Sequence, residues 1–164
     1  MRQVRESLLP LLDALPDDGP DLLLEPTAGQ GQSLCATVQD TGPYLEALDR
    51  HPRVGICLDT CHAFAAGHDL AVPGGLRRTL DLLVRTVGRG RLRLVHANDS
   101  KDACGSSRDR HEIIGKGQIG EEPFAELFRH PAMRGVPVIL ETPGKIPEHQ
   151  RELELLRALR SRAG

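Results

Sequence analysis

Residues 54–70 read V-G-I-C-L-D-T-C-H-A-F-A-A-G-H-D-L, and the architecture of the chain can be inferred outward from them. The five apolar or small residues at the start of this segment are typical of a strand buried in a parallel sheet. The run stops at Asp59, turns, and presents His62 before a series of small residues. A carboxylate and an imidazole are therefore expected together where a strand ends.

The same pattern recurs three times along the chain. Apolar runs at residues 21–25, 92–96 and 136–141 end at Glu25, His96 and Glu141, respectively. Segments with helical spacing or composition lie around these runs, at residues 4–15, 32–39, 43–50, 76–87, 121–130 and 147–162. Alternation of strands and helices predicts a parallel sheet covered by helices, with right-handed crossovers.

Two architectures suit this pattern: an open doubly wound sheet, or part of a (β/α) barrel. The glycine-containing loop at residues 27–31, T-A-G-Q-G, is not G-x-G-x-x-G and lacks the P-loop lysine, which disfavours nucleotide-binding folds. Barrels take catalytic residues from the ends of several strands, but a complete one needs eight strands and roughly 250 residues. The fold class expected is therefore α/β, a partial (β/α) TIM barrel of about four strand-helix units, forming one domain over residues 1–164.

Composition narrows the functional classes. The formal charge of −2 argues against a nucleic-acid binder that relies on bulk electrostatics, and one Tyr and three Phe offer little material for base stacking. The four cysteines form no C-x-x-C pair, and the N-terminus shows no secretory signal. No apolar run approaches the roughly 18 residues of a membrane span. These features predict a cytoplasmic protein with no membrane partner.

Seven side chains form a candidate metal-binding set of oxygen and imidazole donors. A single strand-end carboxylate is more often a helix cap than a ligand, but four polar strand ends together favour metal. Such donors suit zinc, manganese or iron in a catalytic role, and seven exceed the needs of one ion. Two or more ions sharing a carboxylate are typical of phosphoester hydrolysis. The seven are Glu25, Asp59, His62, His96, Asp109, His111 and Glu141.

Five motifs in this set carry a family resemblance. Residues 24–31, 59–67, 96–101, 109–112 and 140–143 together resemble endonuclease IV, a family of zinc-dependent apurinic/apyrimidinic (AP) endonucleases built on a TIM barrel. The chain is similar to the C-terminal half of that family, so two histidine ligands of the family lie outside the resemblance.

The resemblance implies a role for each matched residue. Glu25 would bridge two zinc ions and, with Glu141, act in catalysis. Asp59, His96 and Glu141 would hold one of those ions, whereas His62, Asp109 and His111 would hold a third. Two to three zinc ions are therefore expected, with manganese as the alternative.

The expected partner is double-stranded DNA with abasic sites. Gln30 resembles a family residue that faces the DNA near the lesion. Lys101, Arg108 and Arg110 share a loop with the candidate ligands, so they are predicted to contact phosphates.

The predicted function is DNA base excision repair, by metal-dependent hydrolysis of the phosphodiester 5′ to an AP site. One alternative is a catalytically incomplete half-barrel, or a split subunit that needs a missing N-terminal half or self-association. A weaker alternative is a metal-dependent sugar isomerase of the related barrel group.

Overall fold

Four parallel strands form the central sheet in the computed structural model of the protein, which describes residues 1–162. From one side of the sheet to the other lie the first, second, third and last strands of the chain. The final residue of the second strand, Asp59, pairs with the final residue of the third, His96. The parallel sheet expected from the sequence is therefore present. In chain order the strands are β1 (Leu22–Leu24), β2 (Val54–Asp59), β3 (Leu92–His96), β4 (Asp99–Ser100), β5 (His111–Glu112) and β6 (Val138–Ile139), of which β4 and β5 form a separate antiparallel pair.

Helices cover the sheet and bury its apolar side. Alternate residues of β2, beginning at Val54, share one core with the apolar face of the fourth helix, which includes Leu80 and Leu83. Within residues 1–162 no helix combines the length and the apolar character that crossing a bilayer requires. The helices are α1 (Arg2–Asp13), α2 (Thr41–Ala47), α3 (Thr60–Ala65), α4 (Gly75–Val87), α5 (Glu122–Arg129) and α6 (Ile146–Ser161).

The prediction of a helix over residues 32–39 is wrong. Only Val38–Asp40 forms a short 3-10 helix, and the preceding residues form a loop. The main-chain N–H of Thr27 donates to the carbonyl of Cys35 at 2.9 Å, which folds this loop back on the residues after β1. This hydrogen bond closes a loop over eight residues, where the local helical preference is weak.

Asp40 closes the end of that loop. Its carboxylate accepts the N–H groups of Ala36 at 3.0 Å and Thr37 at 2.8 Å. Burial raises the pKa of Asp40, but these hydrogen bonds stabilise the charged form, and the net effect is a pKa below the ordinary value.

The segment after β2 is a helix, where the sequence predicts a turn and a run of small residues. Asp59 supplies the reason, because its Oδ1 accepts the N–H of His62 at 3.0 Å and so caps the first turn of α3. Asp59 is therefore both a strand end and a helix N-cap.

The long loop expected after β3 contains the β4–β5 hairpin, which pairs Ser100 with His111. Asp99, fully buried in β4, stabilises the turn that follows the hairpin. Its carboxylate accepts five main-chain N–H groups, those of Ser100 (2.8 Å), Gly115 (2.9 Å), Gly117 (3.0 Å), Ile119 (2.8 Å) and Gly120 (3.2 Å). The sequence predicts neither this hairpin nor the role of Asp99.

Candidate metal centre

Four polar side chains meet at the carboxyl edge of the sheet. Glu25 directly follows β1, Asp59 and His96 are the last residues of β2 and β3, and Glu141 lies two residues beyond β6. Because the four strands are parallel, their carboxyl ends lie along one edge of the sheet. We call Glu25, Asp59, His96 and Glu141 the first cluster.

The imidazole of His96 lies at the middle of the first cluster. Its Nδ1 is 3.0 Å from Glu25 Oε1 and 3.0 Å from Glu141 Oε2, and 3.9 Å from Asp59 Oδ2. The Asp59 side chain is wholly buried, whereas about half of the Glu141 side chain is exposed. The first cluster therefore presents three carboxylates and one ring nitrogen to the same small volume.

His62, Asp109 and His111 form a second cluster beside the first. The two oxygens of Asp109 lie 3.2 Å from His62 Nε2 and 3.1 Å from His111 Nε2. Asp59 Oδ2 is 3.6 Å from His111 Nε2, and Glu25 Oε1 is 3.5 Å from His62 Nδ1. The structure thus brings all seven predicted side chains into two adjoining clusters that share carboxylates.

The outer nitrogens of two histidines are oriented by main-chain carbonyls. His62 Nδ1 lies 3.1 Å from the carbonyl of Pro26, and His111 Nδ1 lies 3.1 Å from the carbonyl of Glu141. A carbonyl oxygen only accepts, so each Nδ1 carries a proton, and Nε2 is then the ring nitrogen that can offer a lone pair to a metal. Metal-binding histidines typically show this arrangement.

The buried Nε2 of His111 tests whether these residues fit a cation. It makes no hydrogen bond to any of residues 1–162, although carboxylate oxygens of Asp109 and Asp59 lie nearby. A buried polar atom without a partner is costly unless something else satisfies it. A lone pair aimed at carboxylates is satisfied by a cation between them, so the donor set fits a divalent metal.

The charges of the two clusters also favour a bound cation. Burial lowers the pKa of His62, but Asp59, Asp109 and Glu25 together outweigh burial, and the net effect is a raised pKa. Four carboxylates surround three imidazoles, so the site carries an excess of negative charge, which a bound cation would offset.

Two buried thiols border the clusters. Cys57 lies with Glu25 and His96, and Cys61 lies with Asp109 and His111. Burial is the main cause that raises the pKa of Cys57 to about 12 and that of Cys61 to about 11. In the metal-free chain both thiols therefore stay protonated at neutral pH, which makes them poorer ligands than the carboxylates.

The four residues predicted to contact DNA lie on exposed loops. Gln30 follows β1, and Lys101 follows β4. Arg110 donates from Nε and Nη2 to the two oxygens of Asp102, at 2.6 and 2.5 Å, and Arg108 Nη1 lies 3.6 Å from the same carboxylate. Hydrogen bonding to Arg110 is the main cause that lowers the pKa of Asp102.

Sequence reasoning missed two buried polar side chains that support the clusters. Asn98 lies two residues after β3 and is fully buried between Asp59 and Glu141. Glu152 of α6 accepts the Ile114 N–H at 3.0 Å and the Thr142 hydroxyl at 2.6 Å, so it joins the segments after His111 and Glu141. Polar residues directly after a buried strand could have drawn attention to Asn98, whereas Glu152 has no such signal.

Functional side chains at the carboxyl ends of several parallel strands are typical of TIM-barrel proteins, and the carboxylates and imidazoles found here are typical of the metal-dependent ones. A family model described as xylose isomerase-like TIM barrel matches residues 1–161. The chain belongs to that family, and the partial-barrel fold class expected from the sequence is confirmed.

Relatives named "Probable endonuclease 4" are similar over nearly the whole chain. The one from Streptomyces avermitilis is 63% identical over 161 residues, which are 98% of this chain and 52% of the relative. The one from Methanoculleus marisnigri is 45% identical over 143 residues, 87% of this chain and 50% of the relative. The chain thus spans about half the length of the curated relatives it matches, and its resemblance to endonuclease IV is confirmed.

Solved structures give the same result. The crystal structure of endonuclease IV from Thermus thermophilus superposes with a TM-score of 0.84 at 36% identity, covering 99% of this chain and 59% of that one. A 3-keto-D-glucoside 4-epimerase from E. coli, with a TM-score of 0.61 at 23% identity over 98% of this chain and 53% of that one, shares the fold alone. Likeness to the epimerase therefore does not favour the sugar isomerase alternative.

Proposed function

We propose that this chain carries the metal centre of a DNA-repair endonuclease that hydrolyses the phosphodiester 5′ to an AP site. The observation that carries the proposal is the convergence of three carboxylates on His96 Nδ1, with the second cluster adjoining. Relatives named as endonucleases, at up to 63% identity, support the nuclease interpretation over other metal-dependent barrels.

The proposed cofactor is zinc, as two or three ions, with manganese as the alternative. Asp59, His96 and Glu141 would hold one ion, and His62, Asp109 and His111 another. Glu25 would bridge, because its carboxylate lies between the clusters, with Oε1 3.0 Å from His96 Nδ1 in the first and 3.5 Å from the His62 ring in the second. Bound divalent ions lower the pKa of water and offset negative charge that develops on a phosphate.

Glu25 and Glu141 are the proposed catalytic carboxylates. Glu25 would keep the clusters at a fixed separation. Glu141 is the most exposed member of the first cluster, so its carboxylate can face both substrate and solvent. We propose that Glu141 accepts the proton that an attacking water loses. This role needs a carboxylate within hydrogen-bond distance of that water.

Substrate contacts are proposed for four exposed residues, with double-stranded DNA containing abasic sites as the partner. Gln30 would face the DNA near the lesion, and Lys101, Arg108 and Arg110 would contact phosphates. Contact through a few local cations is consistent with the net charge of −2, because the bound metal ions would add positive potential.

A nicking assay tests the proposal. Purified chain with Zn²⁺ and a duplex carrying one abasic site should cut on the 5′ side of that site, and an intact duplex should stay uncut. Glu141→Gln should abolish cutting. Glu154→Gln, which neutralises an exposed carboxylate on α6, is the matched control and should retain it. A folded, zinc-loaded chain that leaves the abasic duplex intact would reject activity for this chain.

A second candidate, a half-barrel that needs a partner, is favoured by the outer strand of the sheet. Ile139 of β6 is 47% exposed, and Ile146 and Leu153 of α6 are 74% and 42% exposed. Parallel edges of this kind are prone to association. Size-exclusion chromatography with a thermal melt discriminates: self-association with no cutting would support this candidate, whereas a monomer that melts cooperatively would count against it.

A further inference from the structure

Asn98 connects the ends of three strands. Its side chain is fully buried; Nδ2 donates to Asp59 Oδ2 at 2.7 Å, and Oδ1 accepts the Glu141 N–H at 2.9 Å. The Asp59 carboxylate can only accept and the Glu141 N–H can only donate, so only one orientation of the Asn98 amide satisfies both. The side chain therefore fixes the relative positions of Asp59 and Glu141.

The main chain of Asn98 is held as firmly as its side chain. Its N–H donates to the hydroxyl of Thr60 at 2.9 Å, and that hydroxyl donates to the Asn98 carbonyl at 2.6 Å. Thr60 is buried at the start of α3. Both ends of the residue are thus anchored to the chain that follows β2.

Each bond of Asn98 leads to an atom of the clusters. Asp59 Oδ2, which accepts from Asn98, also lies 3.9 Å from His96 Nδ1 in the first cluster and 3.6 Å from His111 Nε2 in the second. Glu141, whose N–H Asn98 accepts, in turn receives the Nδ1–H of His111 at its carbonyl. Displacement of one amide would therefore move ligands in both clusters.

We propose that Asn98 is a positioning residue that sets the distance and orientation between the Asp59 and Glu141 carboxylates, without itself contacting an ion. The inference rests on the proposed function, since it assumes that the clusters bind divalent metal. Groups that orient metal ligands typically change metal affinity by about 10-fold to 100-fold when they are lost. A residue that only fills space would leave the affinity of a folded chain unchanged.

Cobalt binding to the purified full chain separates these cases. Co²⁺ can be titrated into apoprotein while its visible absorption bands report ligand geometry, and urea unfolding of the apoprotein reports folding independently. Asn98→Leu removes both side-chain bonds at similar volume, and Asn98→Ser removes them with a smaller polar group. Thr79→Val is the matched control, because Thr79 is buried in α4 and its hydroxyl donates to the Gly75 carbonyl at 3.0 Å.

We expect both Asn98 variants to unfold cooperatively yet to bind Co²⁺ at least about 10-fold more weakly, with altered absorption bands. Thr79→Val should bind as the wild type does. An Asn98 variant that folds and binds Co²⁺ with wild-type affinity and bands would overturn the proposal. Failure of both Asn98 variants to fold would also overturn it, since Asn98 would then serve the fold itself. Wild-type chain that binds no Co²⁺ would instead refute the proposed metal centre.

Discussion

Replacing Asp99 by Asn should destabilise the protein strongly, although the two side chains are nearly the same size. The carboxylate oxygens accept five main-chain N–H groups, two at Oδ1 and three at Oδ2. An asparagine amide can turn its oxygen toward only one of these groups of donors. Its NH₂ must then face the other, which leaves two or three N–H groups without an acceptor.

The magnitude of the Asp99→Asn effect can be bounded from this count. Each buried donor left unsatisfied costs about 1–3 kcal/mol, so two or three would cost roughly 2–9 kcal/mol if they were independent. They are not independent, because all bind one carboxylate and the turn can relax toward solvent. We expect a loss of about 3–5 kcal/mol, a large part of the roughly 5–15 kcal/mol that stabilises a typical domain.

Urea unfolding of the metal-free chain at pH 7, followed by circular dichroism, measures this loss. Asp17→Asn is the matched control, because it makes the same chemical change at an exposed carboxylate and should alter stability by less than about 0.5 kcal/mol. A loss below about 1 kcal/mol for Asp99→Asn, with an unchanged denaturant slope, would refute the reasoning, because it would mean that the five hydrogen bonds contribute little net stability.

Three further outcomes are expected. Gly117→Ala should lower the free energy of unfolding in urea by more than about 2 kcal/mol, because the new Cβ would lie 2.4 Å from Asp99 Oδ1. Gly120→Ala should lower it by only about 1–2 kcal/mol, because Gly120 has φ +80° but open space around it. Equal losses in the two variants would contradict the steric argument. The folded-state pKa of Asp40 lies below its unfolded value of about 3.9, so its stabilisation is present above that pH and is lost as pH falls through the folded pKa. The urea midpoints of wild type and Asp40→Asn should therefore move closer as pH falls below about 4, and a difference that stays constant down to acid pH would count against this. Zn²⁺ at 100 times its dissociation constant should stabilise the chain by about 2.7 kcal/mol for each site filled, a rise in Tm of roughly 5–10 °C per site. That rise should shrink in His111→Ala, and an undiminished rise would remove His111 from the metal centre.

The sheet and the convergence of the seven side chains could be predicted because both follow from local pattern plus one geometric rule. Apolar runs that stop at Glu25, Asp59 and His96 mark strand ends, and strands that alternate with helices are parallel. Parallel strands end at a common edge, so side chains distant in sequence meet there without any knowledge of the loops.

What the sequence did not reveal depends on hydrogen bonds between distant segments. The loop containing residues 32–37 is set by the bond from Thr27 to Cys35, and the turn after β5 is set by Asp99, 16 residues before Gly115. Glu152 binds the Ile114 N–H across 38 residues. Hydrophobic periodicity carries no information about such partners, because each is a single polar residue whose role appears only when the chain is folded.

Asp102 competes with any anionic group that approaches Arg110 in the loop between β4 and β5. Its carboxylate already accepts from Nε and Nη2 of Arg110, so a phosphate that approaches that edge of the guanidinium must exchange with it. The exchange trades one charged hydrogen-bonded pair for another, which keeps the net gain in free energy small. The ion pair with Asp102 nevertheless restricts the Arg110 side chain beforehand, so little further side-chain freedom is lost when a phosphate binds. A small net gain of this kind predicts that a phosphate at this loop is held weakly, which is compatible with the phosphate contact proposed for Arg110.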